Sequence, residues 1–448
     1  MNDWTESESR AELAHQLYQE GRLAEAAAEL RAAIEINPDN ASWHFNLGLV
    51  LDSMDDFVRA CEAYRKALAI EPGDAETLNC LGVDLTRMGN CEEALECFEQ
   101  ISQADPTYEP AYCNRIITYT ETGDHEQAEV MFYMARQIVD ECPLCYYNLG
   151  NSFYVRGQFD RAAECWKRTL RLDADHPHIH ARIAEAYWAQ GDLERARRHY
   201  QADLRSDPGS VETLMDFGEL LMELGRLDEA GEKFRRVLEQ RPDHSGAHFC
   251  LGELALQQER AGDAEQQFRL VLRIAPDFPG AHARLGELLL RRHRRKQATR
   301  HLLAELRISG DDTDTLQEVG QLLIQARKTH YANTVLRRLV RLAPQDAQAH
   351  HNLAVSFFMM RRIDDGILHC RRAIKLKARY PLALYNLALA HLQKGSLRRA
   401  RRYIFRALTL APDDKRIRDL SRRLGTTHIW SRLRLRRRGG DRGRKMRM

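Results

Sequence analysis

The sequence of 448 residues predicts an all-α fold, a tandem array of helix pairs. Three observations predict it: a 34-residue period that runs from Ser7 through Asp414 without an insertion, small residues at two fixed positions of each period, and prolines confined to the junctions. A chain with such a period adds one supersecondary unit after another, so length alone does not set the number of domains.

The 34-residue period is visible when two distant stretches are aligned. ASWHFNLGLVLDSMDDFVRACEAYRKALAIEPGD (41–74) aligns without a gap on SGAHFCLGELALQQERAGDAEQQFRLVLRIAPDF (245–278). Blocks of 34 residues that start at Ser7 give twelve copies. The apolar residues in each block recur at helical spacing in two runs, so each block is predicted to be two amphipathic helices.

Small residues at two positions of the block indicate that the paired helices approach closely. Position 8 is glycine or alanine in eleven blocks, as at Gly48, Gly82 and Gly150. Position 20 is alanine in eleven blocks, as at Ala26 and Ala60. A side chain larger than a methyl group at either position would hold the two helix backbones apart.

The prolines give an independent check on the block boundaries. Eight of the thirteen occupy position 32, and the other five open the next block or its first helical turn. Proline is tolerated at those places because the missing N–H would have no helical partner there. No proline interrupts a predicted helix interior, which supports the same division of the chain.

This pattern resembles the tetratricopeptide repeat family, and the resemblance covers residues 7–414. It implies a right-handed α-solenoid, a superhelix whose first helices line a concave groove through block positions 2, 5, 6, 9, 12 and 13. The family's helix-linking glycine is replaced at Glu259, His293, Arg327 and Arg361, where stiffer or differently angled turns are expected. Histidine replaces the family's tryptophan at position 4 of five blocks and is expected to fill the core: His44, His180, His248, His282 and His350.

The array is predicted to have short flanking segments. Residues 1–6 form an N-terminal lead, and the repeat array occupies 7–414. In residues 415–424, Ile417, Leu420 and Leu424 fall on one helical face, as in a capping helix that covers the last repeat. Residues 425–448 contain nine Lys+Arg and one Asp, and are predicted to be a disordered basic tail.

Charge is distributed very unevenly although the formal net charge is +2. Residues 1–290 carry 28 Lys+Arg against 53 Asp+Glu, whereas residues 291–448 carry 39 against 12. Such asymmetry suggests contact with a polyanion, a polycation or a second copy of the chain.

The sequence has no apolar leader and no uncharged apolar run near the ~20 residues of a membrane span. A cytoplasmic protein is expected, and its ten cysteines do not indicate a disulfide framework.

The stretch ETLMDFGELLME (212–223) places four carboxylates on one helical face, where like charges repel. We call Glu212, Asp216, Glu219 and Glu223 the acidic stripe; they occupy groove positions 2, 6, 9 and 13. Glu253 occupies position 9 of the next block. Two interpretations remain open: a solvated groove lining, or a binding site for a basic peptide.

Neighbouring cations distinguish the position-9 glutamates from one another. Arg182 precedes Glu185 by three residues, and Glu287 is flanked by Arg284 and Arg291. Glu219 and Glu253 have no cation within a helical turn, so they are the preferred candidates for contact with a basic ligand. Apolar contact in the same groove is expected from Met215, Met222, Phe249 and Leu256, with Phe358 and Tyr385 in the last blocks.

Asparagine recurs at groove position 6, at Asn46, Asn114, Asn148, Asn352 and Asn386. This is similar to the repeat region of O-linked N-acetylglucosamine transferase, and the resemblance implies asparagines that hydrogen-bond the backbone of an extended peptide. The alternative is an asparagine that bonds within its own helix pair.

Clustered basic residues in the last third predict a positive surface. Its members are Arg291, Arg292, Arg294, Arg295 and Lys296, with Arg436, Arg437 and Arg438 in the tail. Such a surface could bind nucleic acid or anionic lipid by counterion release.

Chemistry other than binding is not indicated. Cys142 and Cys145 form a single CxxC, and the histidines at 176, 178 and 180 lie one block later, roughly 8–10 Å away across packed helices. Packing is therefore preferred over a metal or redox role, and neither metal nor cofactor is expected. No phosphate-binding loop or nucleophile motif is present.

The sequence predicts a non-enzymatic scaffold for one or more protein partners, without a small-molecule substrate. The alternatives are a nucleic-acid or membrane adaptor and head-to-tail self-assembly.

Overall fold

The computed structural model describes residues 3–425, and their side chains from Glu6 onward. The predicted tail, with Arg436, Arg437 and Arg438, lies outside the described residues apart from Gly425. The described chain contains helices and no strands, and it divides into two compact units, Met1–Arg226 and Leu227–Met448. The predicted all-α solenoid class is confirmed.

Among the described residues, the first unit contains thirteen helices and the second contains twelve. In the first they are α1 (Asp3–Gln19), α2 (Leu23–Ile36), α3 (Ala41–Asp52), α4 (Phe57–Ile70), α5 (Ala75–Arg87), α6 (Cys91–Ala104), α7 (Glu109–Glu121), α8 (His125–Ile138), α9 (Pro143–Val155), α10 (Phe159–Leu172), α11 (Ile179–Ala189), α12 (Leu193–Ser206) and α13 (Val211–Glu223). In the second they are α14 (Leu227–Gln240), α15 (Ser245–Gln257), α16 (Ala261–Ile274), α17 (Ala281–Arg291), α18 (Arg295–Ile308), α19 (Thr313–Gln325), α20 (Thr329–Leu342), α21 (Ala347–Met359), α22 (Ile363–Leu376), α23 (Pro381–Gln393), α24 (Leu397–Leu410) and α25 (Lys415–Arg423).

Within each unit, the two helices of a block pack against each other, and the small residue at position 8 lies at their contact. A Cβ built on Gly150 in α9 would lie 2.5 Å from Nε1 of Trp166 in α10, and one on Gly82 would lie 2.6 Å from the Phe98 ring. The aromatic ring of the second helix therefore rests directly on the backbone of the first. Within a unit, consecutive first helices also contact each other, as α3 does α5 and α7 does α9, and this places their side chains on a common surface of that unit.

Four helix-linking turns that lack glycine keep the left-handed conformation that glycine adopts elsewhere. Glu259, His293, Arg327 and Arg361 have φ of 59°, 60°, 58° and 63°, close to the 73° of Gly225. The expectation of differently angled turns is therefore wrong. Because a side chain in this conformation costs about 1 kcal/mol or more, the packing of the helix pair must outweigh the local strain.

The two ends of the array differ in how well the predicted boundaries describe them. The first helix begins at Asp3, inside the predicted lead, and an ion pair of 3.0 Å between Glu6 and Arg10 supports its first turns. At the other end, α25 buries Ile417, Leu420 and Leu424 in a cluster on α23 and α24. That contact covers the apolar side of the last helix pair.

The position-4 histidines are placed among the packed helices, as expected. Nε2 of His248 lies 3.0 Å from the carbonyl oxygen of Pro242, and Nε2 of His350 lies 3.2 Å from that of Pro344. A second histidine at position 23 faces three of them, with Nδ1–Nδ1 distances of 3.1, 2.8 and 3.0 Å in the pairs His180–His199, His282–His301 and His350–His369.

These histidine pairs predict a loss of stability in mild acid. Burial, followed by the charges of His180 and Lys167, lowers the pKa of His199 to about 4. As the pH drops, a histidine in the unfolded chain, with a pKa of about 6.5, is protonated before His199 in the folded chain. The free energy of unfolding therefore falls between pH of about 6.5 and about 4. We expect His199→Gln to flatten this decline in urea unfolding, and the exposed control His330→Gln to leave it unchanged. Equal slopes in the two variants would contradict the assignment.

Candidate peptide-binding site

The acidic stripe lies on α13, in the first unit. Glu212, Glu219 and Glu223 are exposed on this helix, whereas Asp216 is half-buried. Ser210 caps the helix by accepting a hydrogen bond of 3.3 Å from the backbone N–H of Thr213, which fixes where the stripe begins.

A pocket opens beside Asp216, among helices of the last three blocks of the first unit. Its volume is about 380 Å³. We call it the Trp188 pocket; its lining residues are Tyr154 from α9, Glu185, Trp188 and Ala189 from α11, Tyr200 from α12 and Asp216 from α13. Three consecutive first helices therefore contribute aromatic and acidic side chains to one concavity.

The electrostatics of the pocket favour a cation. The pKa of Asp216 is raised to about 6, first by burial and then by the negative charges of Glu185, Glu219 and Glu212, with Arg182 acting in the opposite direction. A carboxyl group in this position gains from a positive partner, because the partner's charge offsets both the burial and the repulsion that raise its pKa.

One aromatic wall of the pocket, the Trp188 ring, is held by a hydrogen bond at the rim. The indole Nε1 of Trp188 donates to Oε2 of Glu223 over 2.6 Å, and so one member of the acidic stripe fixes the ring. Arg182 lies 3.0 Å from Glu185, which is the local ion pair expected from the sequence. Tyr154 is half-buried on the opposite side.

The floor of the pocket contains a polar atom without a partner. Tyr200 is fully buried, and its hydroxyl makes no hydrogen bond within the described part of the chain. Leaving a buried hydroxyl unpaired costs roughly 1–3 kcal/mol, so a ligand that bonds it recovers part of that energy. Burial raises the pKa of Tyr200, so the hydroxyl stays protonated, and its oxygen can accept a hydrogen bond from a cationic side chain.

Carboxylates, indole and phenol rings, and an unpaired hydroxyl together match the side chain of lysine or arginine. An ammonium or guanidinium group gains from carboxylates through charge-assisted hydrogen bonds and from the faces of Trp and Tyr through cation–π attraction. The planar guanidinium of arginine also stacks on aromatic rings.

Glu253 has a cation partner, which the sequence within one helical turn did not show. It lies on α15 in the second unit, and Arg284 from α17 approaches its Oε1 to 3.0 Å. The same guanidinium lies 2.8 Å from Glu318 on α19. Arg284 is 31 residues from Glu253, in the next block, so the spacing within one helical turn does not reveal this ion pair. Glu253 is therefore already paired.

The asparagines of position 6 bond chiefly between first helices. Nδ2 of Asn114 donates to Oδ1 of Asn79 over 2.8 Å, and Nδ2 of Asn148 donates to the carbonyl of Cys113 over 3.3 Å. Asn386 likewise lies 2.9 Å from Nε2 of His351 on the preceding first helix. These contacts correct the expectation of bonds within one helix pair. Asn148 and Asn352 are buried and cannot reach a peptide, whereas Asn46 is exposed.

The apolar groove residues are less accessible than their position implies. All six are half-buried: Met215, Met222, Phe249, Leu256, Phe358 and Tyr385. Phe249 packs against Phe268 and Phe278 at ring-centroid distances of 5.5 and 5.1 Å, so much of its surface is already covered. These side chains contribute edges of apolar surface to the groove.

Part of the predicted basic patch is neutralised. Arg291 pairs with Glu287 at 2.9 Å, while Arg292 and Arg294 both approach the buried Glu265, the latter at 3.9 Å. Arg295 and Lys296 are exposed at the start of α18.

One cluster in the first unit has the composition of a metal site. Glu109 and Cys113 on α7 meet Cys142 and Cys145 at the start of α9, and one ligand atom from each lies within 4.8 Å of all the others. We call these four residues the Cys142 cluster. Its three sulfurs are buried, and Cys113 and Cys145 are joined as a disulfide.

Sequence reasoning missed the residues that complete both sites, although the period contained a signal for each. Tyr154 and Trp188 occupy position 12 in consecutive blocks, the same groove position as Met222, Leu256 and Phe358. Glu109 and Cys113 are spaced i, i+4 at the start of the block that precedes Cys142. Comparison of adjacent block starts would have brought them together.

Family comparisons identify the class to which the chain belongs. Tetratricopeptide repeat models match residues 147–211, 215–279, 320–381 and 360–415 with one model, and 14–54, 41–74 and 75–101 with three others. The chain belongs to the tetratricopeptide repeat family, whose arrays are protein-interaction scaffolds. No curated protein matches it, and no described helix has the length and apolar character to span a membrane.

Solved structures resemble the chain in fold. The Cut9–Hcn1 hetero-tetramer of the APC/C aligns over 93% of this chain and 96% of its own, with 14% identity and a TM-score of 0.44. Yeast Tom70 aligns over 96% of both chains with 13% identity and a TM-score of 0.41. Pseudomonas aeruginosa pilF aligns over 47% of this chain and 96% of its own, with 22% identity and a TM-score of 0.40.

Proposed function

We propose that this protein is a non-enzymatic cytoplasmic scaffold whose first unit binds a basic segment of a partner protein. The acidic stripe attracts the segment, and the Trp188 pocket holds one lysine or arginine side chain. The observation that carries the proposal is the half-buried Asp216, whose pKa is raised to about 6 at the edge of a pocket walled by Tyr154 and Trp188.

A solvated lining explains this arrangement less well than a binding site does. A groove that only faces water has no need of a half-buried carboxyl group near three other acids, because each of them raises its pKa and costs stability. Destabilising arrangements of this kind are typical of functional sites. Glu253 is left out of the proposed site because Arg284 already holds it.

The proposal is tested by titrating a labelled basic peptide with the protein. The probe is the 426–448 segment, TTHIWSRLRLRRRGGDRGRKMRM, and the protein is the chain ending at Gly425, so that its own tail does not compete. Fluorescence anisotropy should show binding that weakens about tenfold or more in Asp216→Asn plus Glu219→Gln, since each charge-assisted contact contributes about 1.5–3 kcal/mol.

A matched control removes equal charge from the other helix of a block. Glu96→Gln plus Glu99→Gln neutralises two exposed carboxylates on α6 and should leave affinity nearly unchanged. An equal loss in both double variants would mean that the peptide responds only to overall charge, and the proposed site would be rejected.

The choice of probe also addresses self-association, which the opposite charges of residues 1–290 and 291–448 favour. If the tail peptide binds the array, the full chain should either sediment as an oligomer that dissociates in high salt, or bind the added peptide more weakly because its own tail occupies the site. Binding of nucleic acid or anionic lipid through the basic last third is a weaker proposal, because Arg292 and Arg294 already face Glu265.

A further inference from the structure

We propose that Glu109, Cys113, Cys142 and Cys145 form a structural zinc site that fastens the start of α9 to α7. The four residues come from two first helices of consecutive blocks, Glu109 and Cys113 from α7, Cys142 and Cys145 from the start of α9. Their ligand atoms converge within 4.8 Å, and their number and type are those of a closed tetrahedral site.

The distances suit a tetrahedral ion of zinc size. Tetrahedral zinc with bonds of about 2.3 Å to sulfur separates neighbouring sulfurs by about 3.8 Å. The sulfurs of Cys113 and Cys142 lie 3.7 Å apart, and Oε1 of Glu109 lies 3.0 Å from the sulfurs of both Cys113 and Cys145. Reducing the Cys113–Cys145 disulfide and moving those two sulfurs apart would bring all four ligand atoms around one centre.

The disulfide between Cys113 and Cys145 accounts for only part of this arrangement. Disulfide sulfurs have no proton to donate, so Oε1 of Glu109 would face both of them without a hydrogen-bond donor there. The thiol of Cys142 would also remain beside the bond without a role. Reduction of the disulfide by a cellular thiol supplies two electrons and two protons and gives three thiols beside one carboxylate, a complete ligand set for zinc.

The surroundings supply an outer shell for thiolate ligands. Cys142 is the N-cap of α9, and its sulfur accepts a hydrogen bond of 3.2 Å from the backbone N–H of Cys145. The positive end of the helix dipole stabilises negative charge at that position. On α7, the carbonyl of Cys113 accepts from Nδ2 of Asn148, and this fixes the backbone next to a second ligand.

Zinc binding balances as the exchange of one divalent ion for protons. The ion forms bonds to three sulfurs and one carboxylate oxygen while the three thiols release three protons to solvent, and no oxidation or reduction takes place. The site has no open ligand position, so the ion is structural and not catalytic. It would fix the start of the helix whose other end carries Tyr154 into the Trp188 pocket.

The direct test is the metal content of the full chain, purified with a reductant, without a chelator and without a histidine tag. We expect close to one zinc per chain by mass spectrometry of the metal, and loss of most of it in each of Cys113→Ser, Cys142→Ser and Cys145→Ser. Cys165→Ser on α10 is the matched control and should keep its zinc, since Cys165 lies outside the cluster. Glu109→Gln should weaken zinc binding at least tenfold in competition with a coloured chelator.

Cobalt and alkylation keep the proposal testable if the serine variants fail to fold. Cobalt in the unmodified chain should give a thiolate-to-cobalt charge-transfer band, and zinc should protect Cys113, Cys142 and Cys145 from alkylation until a chelator is added. Reduced chain that takes up no zinc, equal protection with and without chelator, or a Cys113–Cys145 disulfide that persists in reductant and zinc would each overturn the proposal.

Discussion

Replacing Trp166 with alanine is expected to lower the free energy of unfolding of the first unit by about 3–5 kcal/mol. Trp166 is the largest fully buried side chain of the described residues. Its ring rests on the backbone of Gly150, and its Nε1 donates to the carbonyl of Tyr147 over 3.1 Å. The substitution creates a cavity between α9 and α10 and leaves that carbonyl without its donor. Urea unfolding followed by circular dichroism measures the loss.

A surface aromatic on a second helix supplies the control for Trp166. Tyr133 on α8 is 56% exposed, and Tyr133→Ala should change the free energy of unfolding by about 0.5 kcal/mol or less. If Trp166→Ala were equally mild, the contact between the Trp166 ring and the backbone of Gly150 would not be what holds the helix pair together.

Removing one wall and the buried charge of the Trp188 pocket should almost abolish binding of a basic peptide. In Trp188→Ala plus Asp216→Asn, the ligand loses a cation–π contact of up to about 2 kcal/mol and a charge-assisted contact of about 1.5–3 kcal/mol. The sum corresponds to a fall in affinity of about a hundredfold or more. The anisotropy titration used for the acidic stripe measures it.

The single change Asp216→Asn has an effect on stability that separates loss of binding from simple damage. Asp216 has a raised pKa, so its ionisation opposes folding as the pH rises through about 6, and Asp216→Asn should stabilise the chain at neutral pH. The control Tyr133→Ala plus Asp140→Asn removes an aromatic and a carboxyl group from the α8 side and should bind normally. Unchanged affinity in Trp188→Ala plus Asp216→Asn would show that the Trp188 pocket does not bind the basic side chain.

The repeat period predicted the helices well because it reports local contacts. Position 8 was predicted to be small because the paired helices approach closely there, and Gly82 and Gly150 do lie against the rings of Phe98 and Trp166 from their own blocks. The turns at His293 and Arg327 show that residue type is a weaker guide than the period. Their backbone adopts the left-handed conformation that the period places there, although neither residue is glycine.

The candidate sites were harder to predict because they form between blocks. Arg284 reaches Glu253 and Glu318 on the first helices to either side, and Trp188 reaches Glu223 across 35 residues. Such contacts depend on how consecutive first helices pack, which charge spacing within one helix does not contain. The Cys142 cluster is a further case, since a single CxxC looked incomplete until α7 supplied Glu109 and Cys113.

Mapping where a basic peptide binds tests the central claim most directly. The 426–448 peptide, with a benzophenone in place of Trp430, would be crosslinked by light to the chain ending at Gly425 and located by mass spectrometry. We predict crosslinks concentrated on α9, α11 and α13 that disappear in the Trp188→Ala plus Asp216→Asn variant. Crosslinks spread over the second helices, or unaffected by that variant, would contradict a basic-segment site on the first helices of this unit.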